Sequence, residues 1–177
     1  MGRGADGALT HAETGERFEV ELYTAPGPEN VLVQPIIGND WKALGADVSL
    51  VVLPPVLWND LQHRARTPGV YLLGTPMERV YSLEVNPRNT PSAENAWVGY
   101  NLDGYTNSRV DRVLERLAVT ISRGEQIPLH RELLWEWAGD VSFMPLYWLV
   151  DPVLTLASVK GVRGRTTWNV FEWDRAG

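Results

Sequence analysis

Between Leu102 and Val150 the chain passes from a turn, Asp103-Gly104-Tyr105-Thr106-Asn107, through two helix patterns to an unbroken apolar run. In the first pattern Val110, Val113, Leu114, Leu117 and Ile121 recur every three or four residues, which places them on one helix face. Ser108 is the expected N-cap, and the carboxylate of Asp111 suits the first turn. Gly124 is expected to end that helix. Pro128 suits the first position of the next, where a missing N–H costs nothing. Leu129, Leu133, Leu134 and Trp137 give the second helix its apolar face, and Gly139 is its expected end. Phe143-Met144-Pro145-Leu146-Tyr147-Trp148-Leu149-Val150 then reads as a buried strand.

Upstream, the pattern alternates between strand and helix. Phe18, Val20 and Leu22 interleave with Arg17, Glu19 and Glu21, giving a strand with one buried face. Ala25-Pro26-Gly27-Pro28 is a sharp loop. Val31, Leu32, Ile36, Ile37 and Trp41 suggest a helix that Pro35 should kink or break, at a cost of about 3 kcal/mol in a helix interior. Val48-Ser49-Leu50-Val51-Val52-Leu53 is a second strand, stopped by Pro54-Pro55. Leu57, Leu61 and Arg64 belong to a short helix ending near Thr67-Pro68-Gly69, and Val70-Tyr71-Leu72-Leu73-Gly74 is a third strand. Strand, helix, strand, helix, strand implies an α/β fold with a mainly parallel sheet flanked by helices. A further short strand is expected over Val153 to Ala157.

Several of these segments resemble a known family. Gly104-Tyr105-x-Asn107, Asp111-x-x-Leu114, a helix pair and Met144-Pro145-Leu146-Tyr147 follow one another as in the C-terminal part of the family 5 extracellular solute-binding proteins. These are receptors of ABC importers for oligopeptides, dipeptides, nickel and some oligosaccharides. Trp41-Lys42-Ala43-Leu44-Gly45-Ala46-Asp47-Val48-Ser49-Leu50 matches a family segment before the second strand, and Pro68 to Gly74 matches the third strand less closely. Lys160-Gly161-Val162-Arg163-Gly164 resembles the segment where the family's chain crosses to its other lobe. The resemblance covers roughly Phe18 to Val162. It implies one lobe of a type II periplasmic-binding-protein-like fold, with residues 16–160 forming the lobe and 161–177 returning toward the absent lobe. Trp168, Phe171 and Trp173 would pack against that lobe, and without it they offer a surface for self-association.

The resemblance also sets expectations for the solute. Peptide-binding members carry an aspartate after the third strand that takes the peptide amino group. Thr75-Pro76-Met77-Glu78-Arg79 stands here instead, with no aspartate, and Glu78 is the candidate substitute. In open α/β sheets ligands bind beyond the carboxyl ends of parallel strands, here Thr24-Ala25, Leu53-Pro54 and Gly74-Thr75. The irregular stretch from Thr75 to Asn101 hangs over that edge. The expected ligand-binding residues are therefore Gly74, Thr75, Glu78, Trp97 and Trp58, the tryptophans offering flat surfaces for sugar rings or peptide side chains.

Composition narrows the alternatives. The 177 residues suffice for one domain with a substantial core. A hydrophobic content of 44% and a charged content of 21% argue against wholesale disorder. The net charge of −6, with no Lys/Arg cluster denser than Lys160 to Arg165, argues against a nucleic-acid partner. Without cysteine there are no disulfides and no thiol chemistry. No apolar run approaches the about 20 residues of a membrane span, and Met1 to Gly15 lacks the apolar centre of a signal peptide. As the family is secreted, this suggests an excised piece of a longer protein, with 1–15 a flexible tail. Gly2-x-Gly4-x-x-Gly7 has the letters of a dinucleotide loop but no preceding strand.

Catalytic signatures are missing. His11, His63 and His130 are scattered, with no HExxH spacing, no G-x-S-x-G elbow and no phosphate-cradling loop. Glu19 and Glu21 read as a solvated edge, and Arg131, Glu132 and Glu136 as the wet face of the second helix. The expected function is solute capture without catalysis, cofactor or metal, outside the cytoplasm. The solute would be a peptide or oligosaccharide, and the partners in the intact protein would be importer permease subunits. A hydrolase on a similar sheet and a stand-alone interaction module are the alternatives.

Overall fold

The structure is a computed structural model that describes residues 1–74, 84–149, 153–163 and 167–175. It falls into two compact units, Met1–Ser142 and Phe143–Gly177. The first holds a three-stranded parallel sheet of β3 (Glu19–Thr24), β4 (Asp47–Val52) and β5 (Val70–Leu72), in the order β4-β3-β5. Leu22 pairs with Leu50 and with Val70, and Tyr23 pairs with Val51 and with Tyr71. Partnered residues in adjacent strands share a face, so one side carries Leu22, Thr24, Val48 and Leu50, and the other carries Glu21, Tyr23 and Tyr71.

Helix α1 (Pro28–Ala43) covers the Leu50 side. Gly38 permits the approach, because a Cβ there would lie 2.6 Å from Leu50 Cδ2. Buried Gln34 anchors the helix, its Nε2 donating to the carbonyl oxygens of Leu22 at 2.6 Å and Val51 at 3.1 Å. The break expected at Pro35 does not occur, and α1 runs unbroken. The carbonyl that Pro35 cannot serve belongs to Val31, on the exposed side of the helix where water can take it. Two short helices, α2 (Pro55–Trp58) and α3 (Leu61–Arg66), connect β4 to β5.

Residues 2–10, where a flexible tail is expected, form an antiparallel hairpin of β1 (Gly2–Arg3) and β2 (Leu9–Thr10). Arg3 donates to the carbonyl oxygens of Gly7 and Leu44, and Leu9 N–H donates to Gly45. The glycine motif thus lies in a hairpin and its turn, and no helix follows it. Glu19 and Glu21 are exposed as expected, yet β3 is the central strand and not an edge. Phe18, expected on the buried face, is 40% exposed.

Helices α4 (Ser108–Val119) and α5 (Arg123–Asp140) make the second core, where Val110, Val113, Leu129 and Leu133 bury with Val85 and Tyr105. The N-cap of α4 is Asn107, whose side chain accepts from Arg109 and Val110 N–H, one residue before the expected Ser108. Ile121 lies beyond the end of α4 and is 96% exposed. Gly124 does not separate the helices, since α5 begins at Arg123 and takes Pro128 into its interior. The carbonyl that Pro128 leaves unserved is that of Gly124, in the exposed first turn, where water can take it.

In the second unit β6 (Val159–Lys160) pairs antiparallel with β7 (Asp174–Arg175). The strand expected over Phe143 to Val150 is absent: residues 143–149 are irregular and exposed, and Val150 lies outside the described residues. The strand expected over Val153 to Ala157 is also absent. A strand needs a neighbour to take its N–H and C=O groups, and an apolar run marks a place for burial without supplying one.

Candidate functional site

At the carboxyl edge of the parallel sheet the chain leaves β3 at Thr24, β4 at Val52 and β5 at Leu72. Gly74 is exposed just past β5, while Thr75 and Glu78 lie outside the described residues. Trp58 ends α2, immediately beyond β4, and is half-buried. Its ring lies 6.2 Å from that of Tyr71, tilted by 47°, and Tyr71 stacks on Tyr23 at 5.1 Å and 22°. The Arg64 guanidinium lies over the Trp58 ring, 5.1 Å from its centroid.

The cluster has a polar end. Tyr23 donates its hydroxyl to Glu21 Oε2 at 2.5 Å, and that bond, with burial, pushes the Tyr23 phenol up to about 12. Burial also raises the Tyr71 phenol above its ordinary value. Tyr71 Oη and Arg64 Nε are buried without a hydrogen-bond partner among the described residues. The alternation of β3 could have pointed to Tyr23 and Glu21 on one face. Only the parallel register brings Tyr71 onto that face.

Trp97 arrives from a different direction. The segment from Val85 to Tyr105 is built on Asn101, which is fully buried. Its Nδ2 lies in reach of the Asn86 carbonyl oxygen (3.3 Å), Thr90 Oγ1 (3.1 Å) and the Tyr105 carbonyl oxygen (2.9 Å). A second layer of bonds fixes the loop tip: Ser92 N–H donates to Asn95 Oδ1, and Asn95 Nδ2 donates to the Thr90 carbonyl oxygen. Gly99 passes so close to Asn89 that a Cβ would lie 2.0 Å from its carbonyl oxygen. The tip places Ala96 and Trp97 both in the left-handed region, at φ 53° and 63°. Bulky residues seldom adopt that conformation, and strain of this kind clusters at binding sites.

Trp97 is half-buried under Arg66, whose guanidinium lies 5.9 Å from the ring centroid. Residues two apart on a helix diverge by about 200°. Arg64 and Arg66 therefore leave α3 in different directions, and Trp58 and Trp97 meet different flanks of that helix. The two candidate tryptophans are thus linked through α3, whose arginines the sequence reading did not assign to the site.

Among the described residues no three His, Asp or Glu side chains stand together as a metal would require. No described helix is long and apolar enough to cross a membrane.

No family model matches the sequence, and no curated protein sequence does. Solved structures do match. NikZ from Campylobacter jejuni, in complex with Ni(L-His), is similar over 98% of this chain with a TM-score of 0.73 at 21% identity. The oligopeptide-binding protein AppA from Bacillus subtilis, in complex with a nonapeptide, is similar over 99% with a TM-score of 0.64 at 15% identity. An oligopeptide-binding protein from Thermus thermophilus, complexed with a pentapeptide, is similar over 78% with a TM-score of 0.60 at 22% identity. The chain spans 36%, 35% and 26% of those three chains, about a third of their length or less. Its fold is that of the corresponding part of these binding proteins, the type II periplasmic-binding-protein-like fold.

Proposed function

We propose that this chain supplies one wall of a solute site in an extracellular or periplasmic receptor of an ABC importer, and captures its solute without catalysis. The single observation behind the reading is the shared fold over 98% of the chain with a protein solved around a bound small solute, at a TM-score of 0.73. The order of motifs from Gly104 to Tyr147 supports it independently, since it follows the family 5 solute-binding proteins. The wall runs along the carboxyl edge of the sheet, with Gly74, Thr75, Glu78, Trp58 and Trp97 as its ligand-binding residues. Residues 161–177 return toward a second lobe, and closure of two lobes is what permease subunits would read.

Of the three structures named above, two hold a peptide and one a nickel–histidine complex, which favours a peptide or a small amino-acid complex over an oligosaccharide. A thermal-shift screen with peptides, nickel–histidine and neutral oligosaccharides tests the reading, run beside a turnover screen on esters and glycosides. A solute-dependent rise in Tm with no product formed is the expected result. Product formation in proportion to protein would overturn capture in favour of a hydrolase.

A further inference from the structure

Among the described residues β4 pairs only with β3, so its other edge is open. Asp47 N–H donates to Phe18 and Leu53 N–H donates to Thr24, which fixes the phase of the ladder. In a parallel pair alternate residues turn both backbone groups toward one neighbour. Asp47, Ser49, Val51 and Leu53 therefore serve β3, while Val48, Leu50 and Val52 turn N–H and C=O outward. Proteins blunt such edges with shortness, lysine, proline or a bulge. β4 has six residues in unbroken register, with neither charge nor proline from Val48 to Leu53. The opposite edge strand, β5, has three.

Burial separates the two ends of the open edge. Val48 is 4% exposed, whereas Leu50 is 39% and Val52 44% exposed. The accessible outward groups thus bracket Val51. An antiparallel copy of the same strand, centred on Val51, sets Leu50 against Val52 of the second copy and Val52 against its Leu50. Each open residue then meets an open residue. Centring on Leu50 instead would set Val52 against the covered Val48. The net charge of −6 opposes self-association in general, but this edge is uncharged, and the antiparallel order carries the two Asp47 carboxylates to opposite ends of the joint.

We propose that the β4 edge is a homodimer interface, in which two copies pair antiparallel about Val51 and join their three-stranded sheets into one. The inference does not depend on the capture reading, and the carboxyl edges of the two copies point opposite ways. Pairing over so short a stretch buries less than the about 1,000 Å² of a lasting interface, so the dimer is a transient one that cross-linking captures.

The chain is cysteine-free, so a single introduced thiol reports alone. Val51 faces its own copy in a non-hydrogen-bonded pair with Cα atoms about 4.5 Å apart, within reach of a disulfide. The two Ser49 residues would stand about 14 Å apart, too far to bridge. The test is oxidation by glutathione disulfide in a Trp148→Ser, Phe171→Ser background, which removes the apolar side chains of the second unit. Val51→Cys should give a disulfide-linked dimer, and Ser49→Cys, at a more exposed position, should stay monomeric. Adding Val52→Lys to Val51→Cys should abolish the cross-link with Tm unchanged, and Val52→Thr should leave it. Cross-linking by Ser49→Cys as fast as by Val51→Cys would indicate random collision and overturn the proposal. So would a folded Val51→Cys chain that stays monomeric, or a cross-link that survives Val52→Lys.

Discussion

Asn101 and Tyr105 close a reciprocal pair: Asn101 Nδ2 donates to the Tyr105 carbonyl oxygen at 2.9 Å, and Tyr105 N–H donates to Asn101 Oδ1 at 2.8 Å. The same amide reaches back to Thr90 and Asn86, so one side chain ties the loop bearing Trp97 to the start of α4. Asn101→Leu keeps the volume and removes every bond, leaving buried backbone groups without partners. It should cost about 3 kcal/mol, which in a chain of this size lowers Tm by roughly 6–12 °C. A Tm within two degrees of the parent's would show that the loop does not depend on this amide.

The α4–α5 pair should tolerate changes according to burial. Leu133 is fully buried, and Leu133→Ala should cost about 2–5 kcal/mol. Leu117 is only partly buried against the same cluster, so Leu117→Asp should cost less, about 1–3 kcal/mol. Urea denaturation of both variants checks the order. A larger loss at Leu117 than at Leu133 would mean that the helices pack differently.

The periodic parts of this fold are legible in the sequence. The alternation around Leu22, the apolar run after Asp47 and the spacing from Val110 to Leu117 report burial directly, and each forms the expected element. Proline misleads twice. At Pro35 and Pro128 the lost hydrogen bond is outweighed by packing that holds the rest of the helix, and both unserved carbonyls lie on exposed turns. The run from Phe143 to Leu149 reads as a strand because apolar residues demand cover, but pairing depends on a neighbour that no local pattern encodes. Asn101 is invisible for a related reason. A buried asparagine in a loop has no period, and its partners, Asn86, Thr90 and Tyr105, are set by how the loop folds. The arginines over Trp58 and Trp97 come from α3, a helix too short to show a face.

Alkaline pH should weaken the fold through two tyrosines. Tyr105 is pushed up to about 12, first by burial and then by its 2.7 Å bond to Asp140, and Tyr23 reaches about 12 through Glu21. An unfolded tyrosine ionises near 10. The stabilisation is therefore complete below about pH 10, and is lost as pH rises from there to about 12, where the unfolded chain releases protons the folded chain retains. The Asp140 carboxyl works at the other end. Bonds from Tyr105 and Asn107 hold it below its ordinary value, so its contribution is present at neutral pH and fades in acid. Ultraviolet titration should show Tyr23 and Tyr105 ionising late, with Tyr71 also above its ordinary value. Tyr105→Phe should remove one of them and flatten the alkaline fall in Tm; an unchanged fall would exclude Tyr105 as its source.

The second unit should make the chain self-associate. Trp148 is 73% exposed, Leu154 93% and Phe171 77%, and Met144, Leu146 and Leu149 are exposed as well. Trp173 is half-buried, and the side chain of Trp168 lies outside the described residues. Apolar surface on this scale is uncommon on a monomer. Light scattering should give a mass that rises with concentration, and Trp148→Ser with Phe171→Ser should shift the chain toward monomer. A constant monomer mass for the parent would count against the association expected of this segment.

Solute binding by this chain alone should be weak. In a site shared by two lobes each wall supplies part of the contacts, and closure supplies the exclusion of water. A micromolar affinity corresponds to about −8 kcal/mol, so an even split leaves about −4 kcal/mol, or millimolar binding. The split is a scale, because lobes do not contribute additively, but it separates two outcomes by a thousandfold. The surviving contacts should centre on Trp97, with Trp58 next. Trp97→Ala should weaken even the millimolar constant, whereas Trp135→Ala, on an 80% exposed ring of α5 outside the proposed wall, should not. Titration calorimetry against peptide and oligosaccharide panels decides between the cases. Tight, stoichiometric binding would mean that the chain carries a complete site, and the shared-wall reading would fall with it.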